Sequence, residues 1–142
     1  MDSIDKQILE ELQRNSSIPL SELSKKVGLS TTPCWNRIKK LEEDKVIISK
    51  SILLDSKKIN LPIRVFLSIS IQNHTEAWLS NFKHVVQKYN EIIEVHRLTG
   101  SNIDYQITIL SPSIEEYDIF QQKLINEIQC TNMSSHISLQ TI

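Results

Sequence analysis

The chain has 142 residues, 39% of them hydrophobic and 23% charged, which is enough apolar content to bury a core in one ordinary domain or two small ones. No apolar run approaches the ~20 residues that a membrane-spanning helix needs, and residues 1–10 are acidic and amphipathic rather than a basic secretory leader, so a soluble cytoplasmic protein is expected. The formal net charge of −1 gives no reason by itself to expect a polyanionic partner.

The distribution of that charge says more. Residues 21–50 hold seven basic against four acidic side chains, whereas the segments on either side are net acidic. Such an excess is equally compatible with a solvated surface, and it gains weight only from the motif on which it falls. The two cysteines, Cys34 and Cys130, are far apart in sequence, so they form neither a CxxC motif nor a disulfide framework, and free thiols are expected.

Taken in chain order, Ile4, Ile8, Leu9 and Leu12 recur at helical spacing, with Asp2 or Ser3 suited to the N-cap. That first helix ends near Asn15-Ser16-Ser17. A second starts near Leu20, carries Leu23 and Val27 on one face and stops at Gly28, a residue type suited to the left-handed C-terminal position. A third follows at once. Ser30 can cap it, Pro33 is tolerated in its first turn, and Cys34, Ile38 and Leu41 repeat at i, i+4 and i+7 until about Asp44.

From Val46 to Leu54 the residues become β-branched and strand-like, and the polar run Asp55-Ser56-Lys57-Lys58 before Pro62 reads as a linker. The expected domains are therefore residues 1–55, helices with a connecting strand, and residues 62–142. In the second, strand Arg64–Ile71, helix Ala77–Tyr89, strand Ile92–Leu98, strand Tyr105–Leu110, helix Ser113–Ile128 and strand Ser134–Ile142 give the order βαββαβ. This is the split-βαβ arrangement: an α+β, ferredoxin-like fold of the ACT-like kind, with four antiparallel strands and both helices on one face. The alternation Val65-Phe66-Leu67-Ser68-Ile69-Ser70-Ile71 leaves Phe66 and two serines on the opposite face, which suits pairing with a second copy.

Two helices joined by a tight glycine-containing turn make a helix-turn-helix, here winged-helix-like, whose second helix enters the major groove of DNA. With Cys34, Ile38 and Leu41 facing inward, Thr32, Asn36, Lys39 and Lys40 point away from the core, flanked by Thr31 and Arg37. These are the side chains that meet thymine methyls, adenine and guanine edges, and phosphates. A polar solvent-facing helix in a bundle is the bland alternative. Trp35 lies beside this face, although packing is the default reading for it and for Trp78.

The residues Ile4-Asp5-Lys6-Gln7-Ile8-Leu9, and Leu23-Ser24-Lys25-Lys26-Val27-Gly28-Leu29-Ser30-Thr31-Thr32-Pro33-Cys34-Trp35-Asn36-Arg37-Ile38-Lys39-Lys40-Leu41-Glu42, resemble the Lrp/AsnC (feast/famine) transcriptional regulators. With the βαββαβ domain included, the likeness spans nearly the whole chain. It implies dimers formed through the sheets, further assembly into octamers or related rings, and a response to amino acids bound between dimers. The loop that resembles the family's effector turn is Thr99-Gly100-Ser101-Asn102-Ile103-Asp104-Tyr105, which implies Gly100, Ser101, Asn102, Asp104 and Tyr105 as effector contacts. The family's first acid is replaced here by Ser101-Asn102, so one carboxylate remains to pair with an α-ammonium group. Alternatively, Gly100 serves only as a hairpin turn residue with positive φ.

Nothing points to an enzyme. His74, His84, His96 and His136 are scattered without metal-site spacing, and no Walker loop, GxGxxG or GxSxG occurs. Neither a cofactor nor a metal is expected. Three readings remain open: a ligand-responsive transcription regulator, an effector-independent DNA-organising protein of the same fold, and a regulatory subunit whose three helices only oligomerise.

Overall fold

In the computed structural model, which describes residues 1–100 and 102–142, the chain divides into units of residues 1–53 and 54–142. The first begins with α1 (Ser3–Arg14), whose start is set by a reciprocal pair. The Asp2 carboxylate accepts the Asp5 N–H at 2.9 Å, and the Asp5 carboxylate accepts the Asp2 N–H at 3.1 Å, satisfying two of the N–H groups that a helix start leaves unpaired. Next come α2 (Leu20–Lys26) and α3 (Thr31–Glu43). Ser30 occupies the N-cap of α3 without a side-chain hydrogen bond. The core is Ile8, Leu23, Val27, Cys34, Ile38 and Leu41, the stripe that helical periodicity placed inward.

The turn between α2 and α3 is a Schellman closure. Leu29 N–H donates to Ser24 C=O at 2.8 Å, Gly28 N–H donates to Lys25 C=O at 3.3 Å, and Gly28 has φ +73°, the left-handed conformation this closure needs. The end of α3 repeats the pattern without glycine. Val46 N–H donates to Leu41 C=O, Lys45 N–H to Glu42 C=O, and Lys45 sits at φ +58°. Because a side chain disfavours this region, Gly28→Ala should lower stability by about 1 kcal/mol and Lys45→Gly should raise it by up to about the same. Denaturant titration of the two variants checks both signs.

The connecting strand expected over Val46–Leu54 does not form. A strand is stabilised by hydrogen bonds to a neighbouring strand, and the first unit has none among the described residues, nor any hairpin wing. The N–H groups of Val46 and Ile47 instead close the end of α3 on Leu41 C=O, and Ile48, Ile52, Leu53 and Leu54 are exposed.

The second unit runs β1 (Ile63–Ser70), α4 (Glu76–Lys88), β2 (Ile92–Arg97), β3 (Tyr105–Ser111), α5 (Ile114–Glu127) and β4 (Asn132–Ile137). The strands form one antiparallel sheet in the order β2-β3-β1-β4, so each helical crossover skips over one strand, as the split-βαβ reading requires. Thr75 and Ser113 cap α4 and α5 through their hydroxyls, accepting the N–H groups of Trp78 and Glu116. Val65, Leu67, Ile69, Ile107 and Ile109 from the central strands pack with Trp78, Phe82 and Val85 of α4 and Tyr117, Phe120 and Leu124 of α5. Phe66, Ser68 and Ser70 lie half-buried on the other face, paired across the sheet with Thr108, Gln106 and Asn132. No helix among the described residues is long and apolar enough to cross a membrane, and both cysteines are free.

Candidate nucleic-acid interface and ligand loop

The outer face of α3 presents Thr31, Thr32, Asn36, Lys39 and Lys40, all exposed. Their surroundings distinguish them. Lys39 Nζ pairs with Glu42 at 3.1 Å and lies 5.6 Å from the centroid of the Trp35 ring, while Lys50 reaches the other oxygen of Glu42 at 3.2 Å. Hydrogen bonds from Lys39 and Lys50 hold the Glu42 carboxyl below its usual range. Lys40 makes no ion pair among the described residues, so its charge is available to a phosphate. Trp35, for which packing is the default reading although it lies beside this face, is half-exposed.

Arg37 is placed differently. Its Nη1 donates to Asp2 at 2.7 Å and to Asp5 at 2.9 Å, clamping α3 to the start of α1 and raising the guanidinium's pKa, first through Asp2. Any phosphate contact by Arg37 therefore competes with two carboxylates. The sequence held no signal for this clamp, because its partners are more than thirty residues away.

The clamp has an acid limb. The Asp2 carboxyl is held below its ordinary value, first by the Asp5 N–H and then by Arg37. A carboxyl whose pKa is lower folded than unfolded contributes its stability above the unfolded pKa, and loses it as pH falls through the folded one. Unfolding midpoints should therefore fall below about pH 4, and Asp2→Asn, which keeps a cap acceptor but removes the charge, should flatten that limb. Thermal melts across an acid series of both proteins measure it.

In the second unit the loop between β2 and β3 folds back on the end of β1. Asp104 N–H donates to Ile69 C=O and its C=O accepts from Leu98 N–H, both at 2.8 Å, while its Oδ2 accepts the Ile71 N–H at 2.7 Å. The Ser70 hydroxyl donates to Asn102 C=O. Gly100 and Asn102 take positive φ values of +129° and +73°, so left-handed backbone occurs at both. Asp104 is half-buried and, among the described residues, pairs with no cation. Ser101 lies outside the described residues.

Tyr105 is buried rather than displayed. Its hydroxyl meets His74 Nε2 at 2.6 Å, its ring stacks on His74 at 5.8 Å, and it packs edge-on against Phe82 at 4.9 Å. Ser70, Ile71 and His74 thus support the loop without having been legible as its partners; only the tertiary pairing of β1 with β3 brings them there. Chemically, the loop offers one fixed carboxylate and peptide groups in unusual conformations, a combination suited to a small zwitterion.

Both parts of the chain match known family models. Residues 1–42 match the AsnC-type helix-turn-helix domain and residues 64–142 the Lrp/AsnC ligand binding domain. The glutamate uptake regulatory protein of Zymomonas mobilis is 40% identical over 142 residues, covering 100% of this chain and 86% of that protein. The crystal structure of an AsnC family transcriptional regulator from Agrobacterium tumefaciens superposes with a TM-score of 0.92 at 42% identity, covering 100% of this chain and 92% of that one. A Neisseria meningitidis transcriptional regulator, solved as an L-Met complex, superposes at 0.93 with 28% identity and the same coverage. With a matching AsnC-type helix-turn-helix, a matching ligand-binding-type α+β domain and relatives named as regulators, the chain belongs to the Lrp/AsnC family of transcriptional regulators.

Proposed function

We propose that this regulator reads specific DNA sites through Thr31, Thr32, Asn36, Lys39 and Lys40, with Arg37 at the margin of the contact, and that an amino acid bound at the loop of Gly100, Ser101, Asn102, Asp104 and Tyr105 modulates it. The observation carrying the DNA half is the exposed polar stripe of α3, mounted behind a glycine-closed turn. The observation carrying the effector half is the Asp104 carboxylate, unpaired by any cation among the described residues and fixed by Ile71 N–H. The L-Met complex of the Neisseria regulator and the glutamate-linked name of the Zymomonas relative support an amino acid as the ligand class. We also propose a dimer formed over the sheet face carrying Phe66, assembling further to an octamer or similar ring, because a two-fold pair of helices matches half-sites about one DNA turn apart. We take residues 1–55 and 62–142 as the two functional domains.

The test couples DNA and ligand. Thermal shift against an amino-acid panel identifies the effector, and anisotropy on the protein's own promoter DNA measures affinity with and without it. A ligand that changes DNA affinity by some factor must have its own affinity changed by DNA equally. Asp104→Asn should remove most of the ligand-induced stabilisation, since a charge-assisted bond contributes roughly 1.5–3 kcal/mol, while DNA affinity of the free protein stays near the parent's. A tight amino acid binding both proteins alike would move the site elsewhere. A panel with no stabilising member would favour the effector-independent DNA-organising reading.

A further inference from the structure

A groove separate from the loop lies between α4 and the edge strand β2. Its volume is about 390 Å³, and it is lined by Leu79, Phe82 and Val86 from α4, Val95 from β2 and Tyr105 from β3, with Lys83, Gln87 and Arg97 also contributing. The spacing explains the lining. Leu79, Phe82, Lys83, Val86 and Gln87 share one helical face at i, i+3, i+4, i+7 and i+8, and Val95 and Arg97, two residues apart, share the helix-facing side of β2, Arg97 standing opposite Tyr105 in the ladder. Phe82 and Tyr105 are almost fully buried, Leu79, Val86 and Val95 half-buried, and Lys83 and Arg97 exposed. The result is an apolar floor with two cations at its rim, one on each wall. Size and lining fall within the range of small-ligand pockets, mostly apolar with a few convergent polar groups.

The charges indicate what fits. Neither Lys83 nor Arg97 makes an ion pair among the described residues, and no acid lines the groove. The acid of β2, Glu94, pairs with Thr108 on the opposite face of the sheet and contacts His96 at 3.0 Å. Two unmatched cations attract an anion, and nothing is present to receive an ammonium group. We propose that this groove binds a small apolar carboxylate lacking an α-amino group, such as a medium-chain or aryl-substituted acid, with the hydrocarbon against Phe82 and Val95 and the carboxylate between Lys83 and Arg97. The proposal is independent of the reading of the loop: the loop supplies a carboxylate for a zwitterion, whereas the groove supplies only positive charge. Tyr105 floors the groove and follows Asp104 directly, so the two sites touch one residue in common.

The experiment uses the full chain and three probes of similar shape: 3-phenylpropionate, its uncharged amide 3-phenylpropanamide, and L-phenylalanine. Trp78 is a built-in reporter, since its ring lies 4.9 Å from Phe82 and 5.6 Å from Tyr105 and its indole N–H gives a resolved nitrogen–proton resonance. The expected result is millimolar or tighter binding of 3-phenylpropionate that shifts the Trp78 indole and the amides of residues 79–87 and 95–97, with weaker binding of the other two probes. Lys83→Gln with Arg97→Gln should lower its affinity by roughly tenfold or more, and Asp104→Asn should leave it unchanged. Both substituted positions are exposed, and matching melts of variant and parent establish that the fold is kept. Equal binding of acid and amide, equal binding by parent and double variant, shifts mapping to another surface, absence of millimolar binding, or a groove already occupied by a second copy in the unliganded protein would each overturn the proposal. Failure of the loop as an amino-acid site would leave these readouts untouched.

Discussion

Ile8→Ala is expected to remove most of the stability of the helix-turn-helix unit and to lower its melting temperature sharply, with specific DNA binding weakened as that unit unfolds. Ile8 is completely buried, and it is the buried residue of α1, set against Leu23, Val27, Cys34, Ile38 and Leu41. Truncating a buried isoleucine costs about 2–5 kcal/mol through lost transfer energy and the cavity left behind. Small domains have total stabilities of only about 5–15 kcal/mol, and one of this size sits low in that range. Most of the stability margin of a unit of residues 1–53 would therefore be removed. The sheet's core is a separate cluster built on Val65, Leu67, Ile69, Ile107 and Ile109, so its unfolding transition should persist. Circular dichroism melts combined with anisotropy on promoter DNA read both effects. An unchanged melt, or full DNA affinity at the parent's working temperature, would show that α1 does not hold the recognition helix in place.

The second large effect is expected from Asn36→Ala combined with Lys40→Ala. Both side chains are exposed on α3, so the fold should be untouched. Losing a side chain that reads a base edge costs roughly 1–3 kcal/mol and relaxes preference at one position, while losing a phosphate contact weakens binding to all sequences and shallows the salt slope by about one unit. Together these correspond to at least a tenfold loss at the operator, with the two contributions separable by performing the titration across a salt series. Lys39→Ala should do less, because its ammonium already pairs with Glu42, and Arg37→Ala should act partly through stability by releasing Asp2 and Asp5. Selection from randomised duplexes that returns the same motif for the double variant and the parent, with equal salt slopes, would remove α3 from the DNA contact.

Local chemistry explains why most of the architecture was readable in advance. Helical periodicity marked Ile8, Leu23, Val27, Cys34, Ile38 and Leu41 as one core, Gly28 announced its left-handed turn, and the alternation through β1 separated Val65, Leu67 and Ile69 from Phe66, Ser68 and Ser70. These signals work because the periods of helix and strand put neighbouring letters on opposite sides of a surface. They fail where a segment's state depends on a partner. Val46–Leu54 has strand-forming residues, yet the first unit, which holds nearly all of it, contains no strand among the described residues to pair with it. Lys45 takes a glycine-like conformation that its residue type does not advertise.

The sequence by itself determined the two-part organisation, the helix-turn-helix, the βαββαβ order and the polar face of α3, since each follows from contacts within a few residues or from a repeating period. Tertiary structure alone decided which of those polar residues are already engaged. Arg37 is taken by Asp2 and Asp5, and Lys39 by Glu42, whereas Lys40 makes no ion pair among the described residues. Folding likewise buried Tyr105 against His74 and Phe82, tied Asp104 to Ile71, and assembled a cation-rimmed groove from Lys83 and Arg97. The physical reason is the same in each case: a charge or a ring is defined by what lies within a few ångströms of it, and those neighbours are tens of residues away along the chain.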